Sequence, residues 1–300
     1  MTIANYISDM PQRLSNKSIA TARLDCLVLL EDATGNNRSW LLAHPEHELT
    51  DEQVTQLQQQ ITRRANHEPL AYIRGKSEFF GREFLVNAHT LEPRPETETM
   101  IEQLLMLVDS GEWIVDSKNQ NDKYQMKNEK LTIVDVGTGS GCIGITAKLE
   151  LPKSQVVAID IDQKSIKTAR RNAQKLNADV TFLQGNLLLP ILENENWKMN
   201  IEQNRTIMLA NLPYVPTKYE LNSAAKFEPK HAIFGGEDGL DLYRNLYYQI
   251  ATKLQFDSRP QYIFTESLPI QHAALAKIAA SAGYSLHKSN DFIQIFVQDK

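Results

Sequence analysis

Two short segments carry residues whose types and spacing could bind a cofactor and act on a substrate. The first is the glycine-rich run 137–144, which directly follows the apolar segment 131–136. Glycine allows a turn in which the backbone approaches a ligand closely. Asp160 ends the next apolar segment, and a carboxylate there can accept hydrogen bonds from both hydroxyls of a ribose. The pattern predicts a site for an adenosine-containing cofactor.

Two cofactors are compatible with this run. Gly139, Gly141 and Gly144 have the spacing of a dinucleotide-binding turn, with Asp160 at about the place expected for NAD. Asp135 favours S-adenosylmethionine, because a carboxylate there suits the ammonium of a methionine moiety and repels a pyrophosphate. We therefore predict S-adenosylmethionine as the cofactor, with S-adenosylhomocysteine as the product.

The second segment is Asn211-Leu212-Pro213-Tyr214, which follows the apolar run 206–210. Ligands in open α/β sheets bind at the carboxyl ends of strands, so this tetrapeptide is expected to face the same crevice. The side-chain carbonyl of Asn211 and the backbone carbonyl of Leu212 can accept hydrogen bonds from an NH₂ group. Pro213 restricts the conformation of Leu212, and Tyr214 offers a flat face to a planar group. Taken by itself, the tetrapeptide predicts only a turn. Beside the glycine run, it predicts transfer of a methyl group to a conjugated nitrogen. Such a reaction can depend mainly on the orientation and proximity of the two reactants.

From residue 131 onward, segments typical of strands alternate with segments typical of helices, which predicts an α/β fold with a parallel, doubly wound sheet. The predicted strands are 131–136, 155–160, 180–184, 206–210, 261–265 and 293–297, and the predicted helices are 165–176, 240–254 and 270–282. The polar segments 109–130 and 191–205 are predicted to be surface loops.

The first 70 residues have apolar positions at helical spacing, for example over 18–32. Thr50 and Gln53 have the spacing of a capping box, which predicts a helix that runs to about His67. Two short apolar segments flank Gly81-Arg82 and predict a β-hairpin.

Composition limits the class of protein. The chain has 300 residues, of which 42% are hydrophobic and 23% charged, with two cysteines and a net charge of −5. No apolar run approaches the roughly 18 residues of a membrane span, and the cysteine count predicts a cytoplasmic protein without disulfides. Since proteins that hold nucleic acid usually have a basic surplus, we expect neither a membrane segment nor direct nucleic-acid binding.

Several motifs in one order resemble the peptide chain release factor glutamine methyltransferases, also called the HemK/PrmC family. The resemblance spans about Glu68 to the C-terminus. It rests on segments 68–75 (Glu-Pro-Leu-Ala-Tyr-Ile-Arg-Gly), 78–81, 93–98 (Pro-Arg-Pro-Glu-Thr-Glu), 135–141, 211–214, 227–229 and 235–241.

The family resemblance implies the domain organisation. It predicts an N-terminal helical substrate-recognition domain over 1–76 and a β-hairpin linker over 77–92. The remainder, 93–300, is predicted to be a seven-stranded, Rossmann-like class I methyltransferase domain.

The resemblance also implies an activity and a set of site residues. The expected reaction moves a methyl group from S-adenosylmethionine to the side-chain amide nitrogen of the glutamine in the Gly-Gly-Gln loop of class-1 release factors. The implied cofactor contacts are Gly137, Thr138, Gly139, Ser140, Gly141, Asp160, Asn186, Leu187 and Asn211. The implied substrate contacts are Asn211, Leu212, Pro213 and Tyr214, of which Asn211, Pro213 and Tyr214 are the expected catalytic residues. No metal is expected.

Two departures from the family pattern leave alternative functions to consider. Leu212 stands where the family has proline, and Asn186 where it has aspartate. Because Asn-Leu-Pro-Tyr is common in ribosomal RNA adenine dimethyltransferases, a nucleic-acid adenine-N6 methyltransferase is the alternative function. The net charge, the motifs between 68 and 98, and an extra domain that precedes the catalytic one favour the protein substrate. The intact Asn211 and glycine run oppose a third possibility, a binding subunit without activity.

Overall fold

The computed structural model describes residues 1–111, 131–203 and 205–300. The chain divides into two compact units, of which the first comprises Met1–Ser77 and Leu221–Phe227, and the second Glu78–Glu220 and Glu228–Lys300. Of the loop predicted over 109–130, residues 112–130 lie outside the described residues, and Asp109 and Ser110 belong to a helix. None of the helices in these described ranges combines the length and apolar character needed to span a bilayer.

The first unit is helical. Its helices are α1 (Ile3–Ser15), α2 (Ala22–Thr34), α3 (Arg38–Ala43), α4 (Asp51–Ala65) and α5 (Leu70–Arg74). The predicted capping box of α4 is confirmed, because Thr50 Oγ1 accepts from the Gln53 N–H at 3.2 Å and Gln53 Oε1 accepts from the Thr50 N–H at 2.9 Å. The helix ends two residues before the predicted His67.

A two-stranded hairpin follows, with β1 at Lys76–Phe79 and β2 at Arg82–Leu85. Phe80 and Gly81 connect the strands with φ values of 52° and 68°. Two left-handed residues in succession are typical of the hairpin turn whose twist matches that of the strands. The hairpin predicted around Gly81 is therefore present.

The second unit contains a seven-stranded sheet. Its strands are β3 (Leu131–Val136), β4 (Gln155–Asp160), β5 (Thr181–Gln184), β6 (Arg205–Ala210), β7 (Tyr262–Glu266), β8 (Tyr284–Ser289) and β9 (Ile293–Gln298). They are ordered β5-β4-β3-β6-β7-β9-β8. The first five run parallel, whereas β9 is antiparallel to both of its neighbours. The prediction of a parallel sheet is therefore wrong for the last two strands.

Helices cover both faces of the sheet. They are α6 (Pro95–Ser110), α7 (Cys142–Glu150), α8 (Gln163–Leu176), α9 (Leu189–Leu192), α10 (Glu195–Gln203), α11 (Asp241–Lys253) and α12 (His272–Ser281). Alternate residues of β3 belong to different core clusters: Leu131 and Ile133 pack on one face, Val134 and Val136 on the other. This alternation follows from the two-residue period of a strand.

Two predictions in this unit are corrected. The polar segment 191–205 is not a loop, because it contains the end of α9, all of α10 and the first residue of β6. Ile191 and Ile201 are buried and anchor the segment to the core. Strand β8 was not predicted, because only Tyr284 is buried in it and the rest lacks the alternation that marks a strand.

Candidate active site

A cavity lies at the carboxyl ends of β3, β4 and β6, and all the residues that line it belong to the second unit. Strand β4, which follows β3 along the chain, pairs with one edge of β3, and β6 pairs with the other edge. The strand order therefore reverses direction at β3, and ligands of open α/β sheets bind at such a reversal. The cavity is open to solvent on one side, and its empty space together with that open mouth amounts to about 960 Å³.

The glycine run forms the floor of the cavity between β3 and α7. Gly137, Gly139 and Gly141 have φ values of 77°, 56° and 85°, a region that residues with a Cβ avoid. The N–H groups of Gly137 and Thr138 both donate to the Ile159 carbonyl at 2.9 Å, which ties the run to β4. A Cβ on Gly137 would lie 3.0 Å from the Leu212 side chain, so glycine there allows the two predicted segments to meet.

Asp135 lies beneath the glycine run, near the end of β3. It is fully buried, and its Oδ2 accepts from Thr138 Oγ1 at 2.5 Å and from the Gly144 N–H at 2.9 Å. It is not among the residues that line the cavity. Burial raises the pKa of Asp135 to about 6, although both hydrogen bonds oppose the shift. Asp135 Oδ2 thus organises the turn from beneath, while Asp135 Oδ1 is buried and has no hydrogen-bond partner in the described residues. The expected contact with an ammonium group stays a prediction.

Asp160 lines the cavity at the end of β4. Its Oδ2 accepts from the Gly139 N–H and its Oδ1 from the Asp162 N–H, each at 2.8 Å. Burial raises the pKa of the Asp160 carboxyl, and these two hydrogen bonds act against that shift. Each oxygen keeps further lone pairs for a ligand, because an ionised carboxylate has about four acceptor sites.

The loop after β5 completes one wall. Asn186 and Leu187 both line the cavity, and Asn186 is exposed. Leu187 is buried and has a φ of 53°. A left-handed residue with a large side chain is strained, and such residues concentrate at functional sites.

Most of the predicted residues come together here, but two do not face the cavity. Those that line it are Gly137, Thr138, Gly139, Ser140, Asp160, Asn186, Leu187, Asn211, Leu212 and Pro213. Gly141 and Tyr214 do not belong to the lining. Gly141 caps the start of α7, and Tyr214 is partly buried against the core with its hydroxyl donating to Glu266 Oε1 at 3.1 Å.

The Asn211 amide is held from behind by residues to which the sequence assigned no role. Its Nδ2 donates to Glu266 Oε2 at 3.0 Å and to Thr97 Oγ1 at 3.2 Å. Thr97 Oγ1 itself donates to Glu266 Oε2 at 2.7 Å. Within the described chain, Asn211 Oδ1 has no hydrogen-bond partner, so this oxygen can accept from a ligand.

The backbone of the tetrapeptide is fixed by other elements of the same unit. The Leu212 N–H donates to the Tyr243 hydroxyl of α11 at 3.3 Å, and Gln271 Nε2 donates to the Tyr214 carbonyl at 2.7 Å. Segment 235–239 packs closely against it: a Cβ on Gly235 would lie 2.2 Å from the Pro213 carbonyl oxygen, and one on Gly239 would lie 2.0 Å from that of Tyr214. Both glycines belong to the segment 235–241 on which the family resemblance rests. This close packing is the physical reason that glycine occupies each position.

A cation stands beside the cavity. Arg94 lines it and donates to Glu228 Oε1 at 2.5 Å. The Glu228 side chain is 3% exposed, and burial raises the pKa of its carboxyl while Arg94 opposes the shift. The pair fixes the Pro-Arg-Pro segment at the wall of the cavity. In the described ranges, no group of three or more His, Cys, Asp or Glu residues could hold a metal ion.

Comparison with known proteins places the chain in a family. The family described as PrmC N-terminal domain matches residues 7–75, and the one described as Methyltransferase domain matches 127–212. The release factor glutamine methyltransferase of Enterococcus faecalis is 33% identical over 258 residues, which cover 85% of this chain and 82% of the relative. The chain belongs to the release factor glutamine methyltransferase family. The Bacillus anthracis member is 37% identical, over 76% of this chain and 74% of its own length.

These matches confirm the predicted family and show that the chain is a methyltransferase. Among solved structures, the hMettl16 catalytic domain in complex with MAT2A 3'UTR hairpin 1 superimposes with a TM-score of 0.51 at 13% identity, covering 83% of this chain and 81% of that one. At this identity the likeness concerns the fold alone, and it agrees with the class I methyltransferase fold that the family resemblance predicted.

Proposed function

We propose that this family member transfers a methyl group from S-adenosylmethionine to the side-chain amide nitrogen of the glutamine in the Gly-Gly-Gln loop of class-1 release factors. The observation that carries the proposal is the Asn211 amide, whose nitrogen is held by Glu266 and Thr97 and whose oxygen is left to accept. That arrangement suits a substrate that presents an NH₂ group. The relatives named release factor glutamine methyltransferase support the choice of protein substrate.

The chain's own residues fit S-adenosylmethionine. The Asp160 carboxylate keeps lone pairs for two ribose hydroxyls while its backbone contacts hold it in place. Gly139 lines the cavity, and a Cβ built on it would meet nothing within 4 Å, so the backbone there is open to a ligand. When bound, the cofactor supplies an electrophilic methyl group: the carbon–sulfur bond breaks with its electron pair on sulfur, and a carbon–nitrogen bond forms. We assign the cofactor to Gly137, Thr138, Gly139, Ser140, Gly141, Asp160, Asn186, Leu187 and Asn211, with Gly141 acting through the shape of the turn.

The acceptor is held by the tetrapeptide. Asn211 Oδ1 and the Leu212 carbonyl are proposed to accept the two N–H groups of the amide, and both residues line the cavity. An amide nitrogen is a poor nucleophile because its lone pair is delocalised, and two acceptors favour the form in which charge builds on nitrogen. The nitrogen's surplus proton leaves to water after transfer. Pro213 keeps the backbone rigid, and Tyr214 acts through its hydrogen bond to Glu266.

Since Leu212 has a backbone carbonyl like the proline of the family pattern, its presence is compatible with this role. We further propose that the N-terminal helical domain (1–76) helps to bind the release factor, that 77–92 acts as a linker to the catalytic domain (93–300), and that the protein works in the cytoplasm, where its two free, buried cysteines stay reduced.

One labelling experiment tests the proposal. The purified chain is incubated with methyl-labelled S-adenosylmethionine and, separately, a class-1 release factor, the same factor with its loop glutamine replaced by alanine, and ribosomal RNA. We expect label on the unaltered factor only. Label on RNA and none on the factor would replace the proposal by the adenine-N6 alternative, and equal label on both factors would move the acceptor away from the loop glutamine.

A further inference from the structure

We infer that Glu266 is a positioning residue that makes the site select an NH₂ group over a carboxylate, by fixing which edge of the Asn211 amide faces the cavity. The inference rests on the proposed function for the identity of the acceptor. It concerns a side chain at the end of β7 that does not itself line the cavity.

Glu266 is an isolated buried carboxylate. It is 1% exposed, and in the part of the chain that the structure describes it makes no ion pair. Its oxygens accept instead from three neutral donors: Thr97 Oγ1 at 2.7 Å and Asn211 Nδ2 at 3.0 Å reach Oε2, and the Tyr214 hydroxyl at 3.1 Å reaches Oε1. Burying a charge without a cation is costly, and the three donors compensate. Two of them belong to the acceptor tetrapeptide.

The carboxylate decides the orientation of the Asn211 amide. The two ends of an asparagine amide have nearly the same shape, so packing does not choose between them. Turning the amide over would bring Oδ1 to about the present Nδ2 position, 3.0 Å from Glu266 Oε2, where two acceptors repel each other. Glu266 therefore holds the donor end inward and leaves Oδ1 for the ligand.

A fixed acceptor in the cavity discriminates between substrates. An amide can donate an N–H to Asn211 Oδ1, whereas a glutamate in the same place would bring a second acceptor and leave both groups unpaired. Sites built around a required hydrogen bond reject analogues that lack it by far more than apolar pockets do. Glutamine over glutamate is the selection expected from this geometry.

Two substitutions separate charge from shape. Glu266→Leu keeps a similar volume and removes both acceptor oxygens, whereas Glu266→Gln can keep a carbonyl oxygen toward Thr97 and Asn211 and place its NH₂ toward the Tyr214 hydroxyl, which can accept. We expect kcat to fall about 100-fold in Glu266→Leu and less than about 10-fold in Glu266→Gln, on the scale at which a small misplacement of reacting groups reduces the rate. Cofactor Kd, measured by calorimetry, should stay within about threefold in both, because Glu266 does not itself line the cavity and the other proposed cofactor contacts, Asp160 and the glycine run, are unaltered.

The matched control is Thr265→Val. Thr265 is the preceding residue of β7, is fully buried, and donates to the Gln294 carbonyl at 3.3 Å. The substitution removes a buried hydroxyl next to Glu266 without removing a hydrogen bond to Asn211 or Tyr214. If all three variants lose activity in proportion to the loss in melting temperature, Glu266 is merely structural and the inference is wrong.

Two further readouts bear on selection and orientation. The first readout compares the enzyme's affinity for the release factor with its affinity for the factor's loop Gln→Glu variant. Wild-type enzyme should prefer glutamine, and Glu266→Leu should lose most of that preference. An unchanged preference in Glu266→Leu would contradict the inference. In the free protein, NMR of the ¹⁵N-labelled Asn211 side chain should show slow NH₂ hydrogen exchange in wild type and Glu266→Gln and faster exchange in Glu266→Leu. This last measurement needs no substrate, so it still tests the orientation if the release factor proves not to be the acceptor; equal exchange in all three would refute it.

Discussion

Replacing Asn211 by alanine removes the side-chain oxygen that we assign to the substrate amide. The nitrogen it contacts gains charge as the methyl group arrives, so the lost hydrogen bond belongs to the charged class, worth about 1.5–3 kcal/mol. At about 1.4 kcal/mol for each factor of ten, kcat/KM should fall about 10- to 150-fold.

The same substitution should affect cofactor binding and folding much less. The variant also loses the Nδ2 contacts with Glu266 and Thr97, which costs about 1–2 kcal/mol of stability and lowers the melting temperature by only a few degrees. Asn211 is one of nine proposed cofactor contacts, and Asp160 and the glycine run keep theirs, so cofactor Kd should change by less than about threefold.

The assay is the initial rate of methyl transfer to the release factor at saturating cofactor, with calorimetry for cofactor affinity. Asn245→Ala is the control, because Asn245 is an exposed asparagine on α11 and does not line the cavity. A rate within twofold of wild type would remove Asn211 from the mechanism. A fall in rate matched by an equal fall in cofactor affinity would make Asn211 a cofactor residue only.

Three other perturbations have defined outcomes. Asp160→Ala removes the acceptor at the end of β4 and should weaken cofactor binding at least about tenfold; an unchanged Kd in calorimetry would contradict the ribose contact. Gly235→Ala would place a Cβ 2.2 Å from the Pro213 carbonyl oxygen, so the backbone must shift, with about 1–3 kcal/mol lost and activity reduced about 100-fold; a variant as active as wild type would show that the carbonyl position is not critical. Asp135 has a pKa raised by burial from 3.8 to about 6, so the folded state binds its proton more tightly than the unfolded state, and the stability this group contributes at low pH is lost as pH rises from about 4 to 6. The unfolding free energy of Asp135→Asn, relative to that of the wild type, should therefore rise by up to about 3 kcal/mol as pH increases across that window. A difference between the two proteins that stays constant from pH 4 to 7 would refute this prediction.

The elements that sequence predicts best are those buried on both sides. Strands β3 and β4 have the predicted bounds, and their central residues are all buried. Their sequences are therefore mostly apolar, with Thr132 and Asp135 as the polar residues inside β3. Strand β8 was missed for the opposite reason, because a mostly exposed edge strand has little hydrophobic pattern to recognise. Helix α10 was taken for a loop because its composition is polar.

The site could be predicted only as far as local sequence determines it. Asp160 and Asn211 stand at strand ends, and that position alone places them at one crevice. Thr97 and Glu266 are 169 positions apart, and no local pattern indicates that they meet beneath Asn211. The contacts of Asp135 with Thr138 Oγ1 and the Gly144 N–H were equally hidden, because both faces of β3 are buried and alternation does not indicate which neighbours a buried polar side chain meets.

The packing of segment 235–239 against the tetrapeptide sets a limit on engineering. A designer who wished to move the amide-methylating loop onto another class I scaffold would be inclined to transplant residues 211–216 alone. The carbonyl oxygens of Pro213 and Tyr214 lie so close to Gly235 and Gly239 that a side chain at either glycine would displace them. The transferable part is therefore a discontinuous pair of segments, and a chimera should work only when both are carried over together.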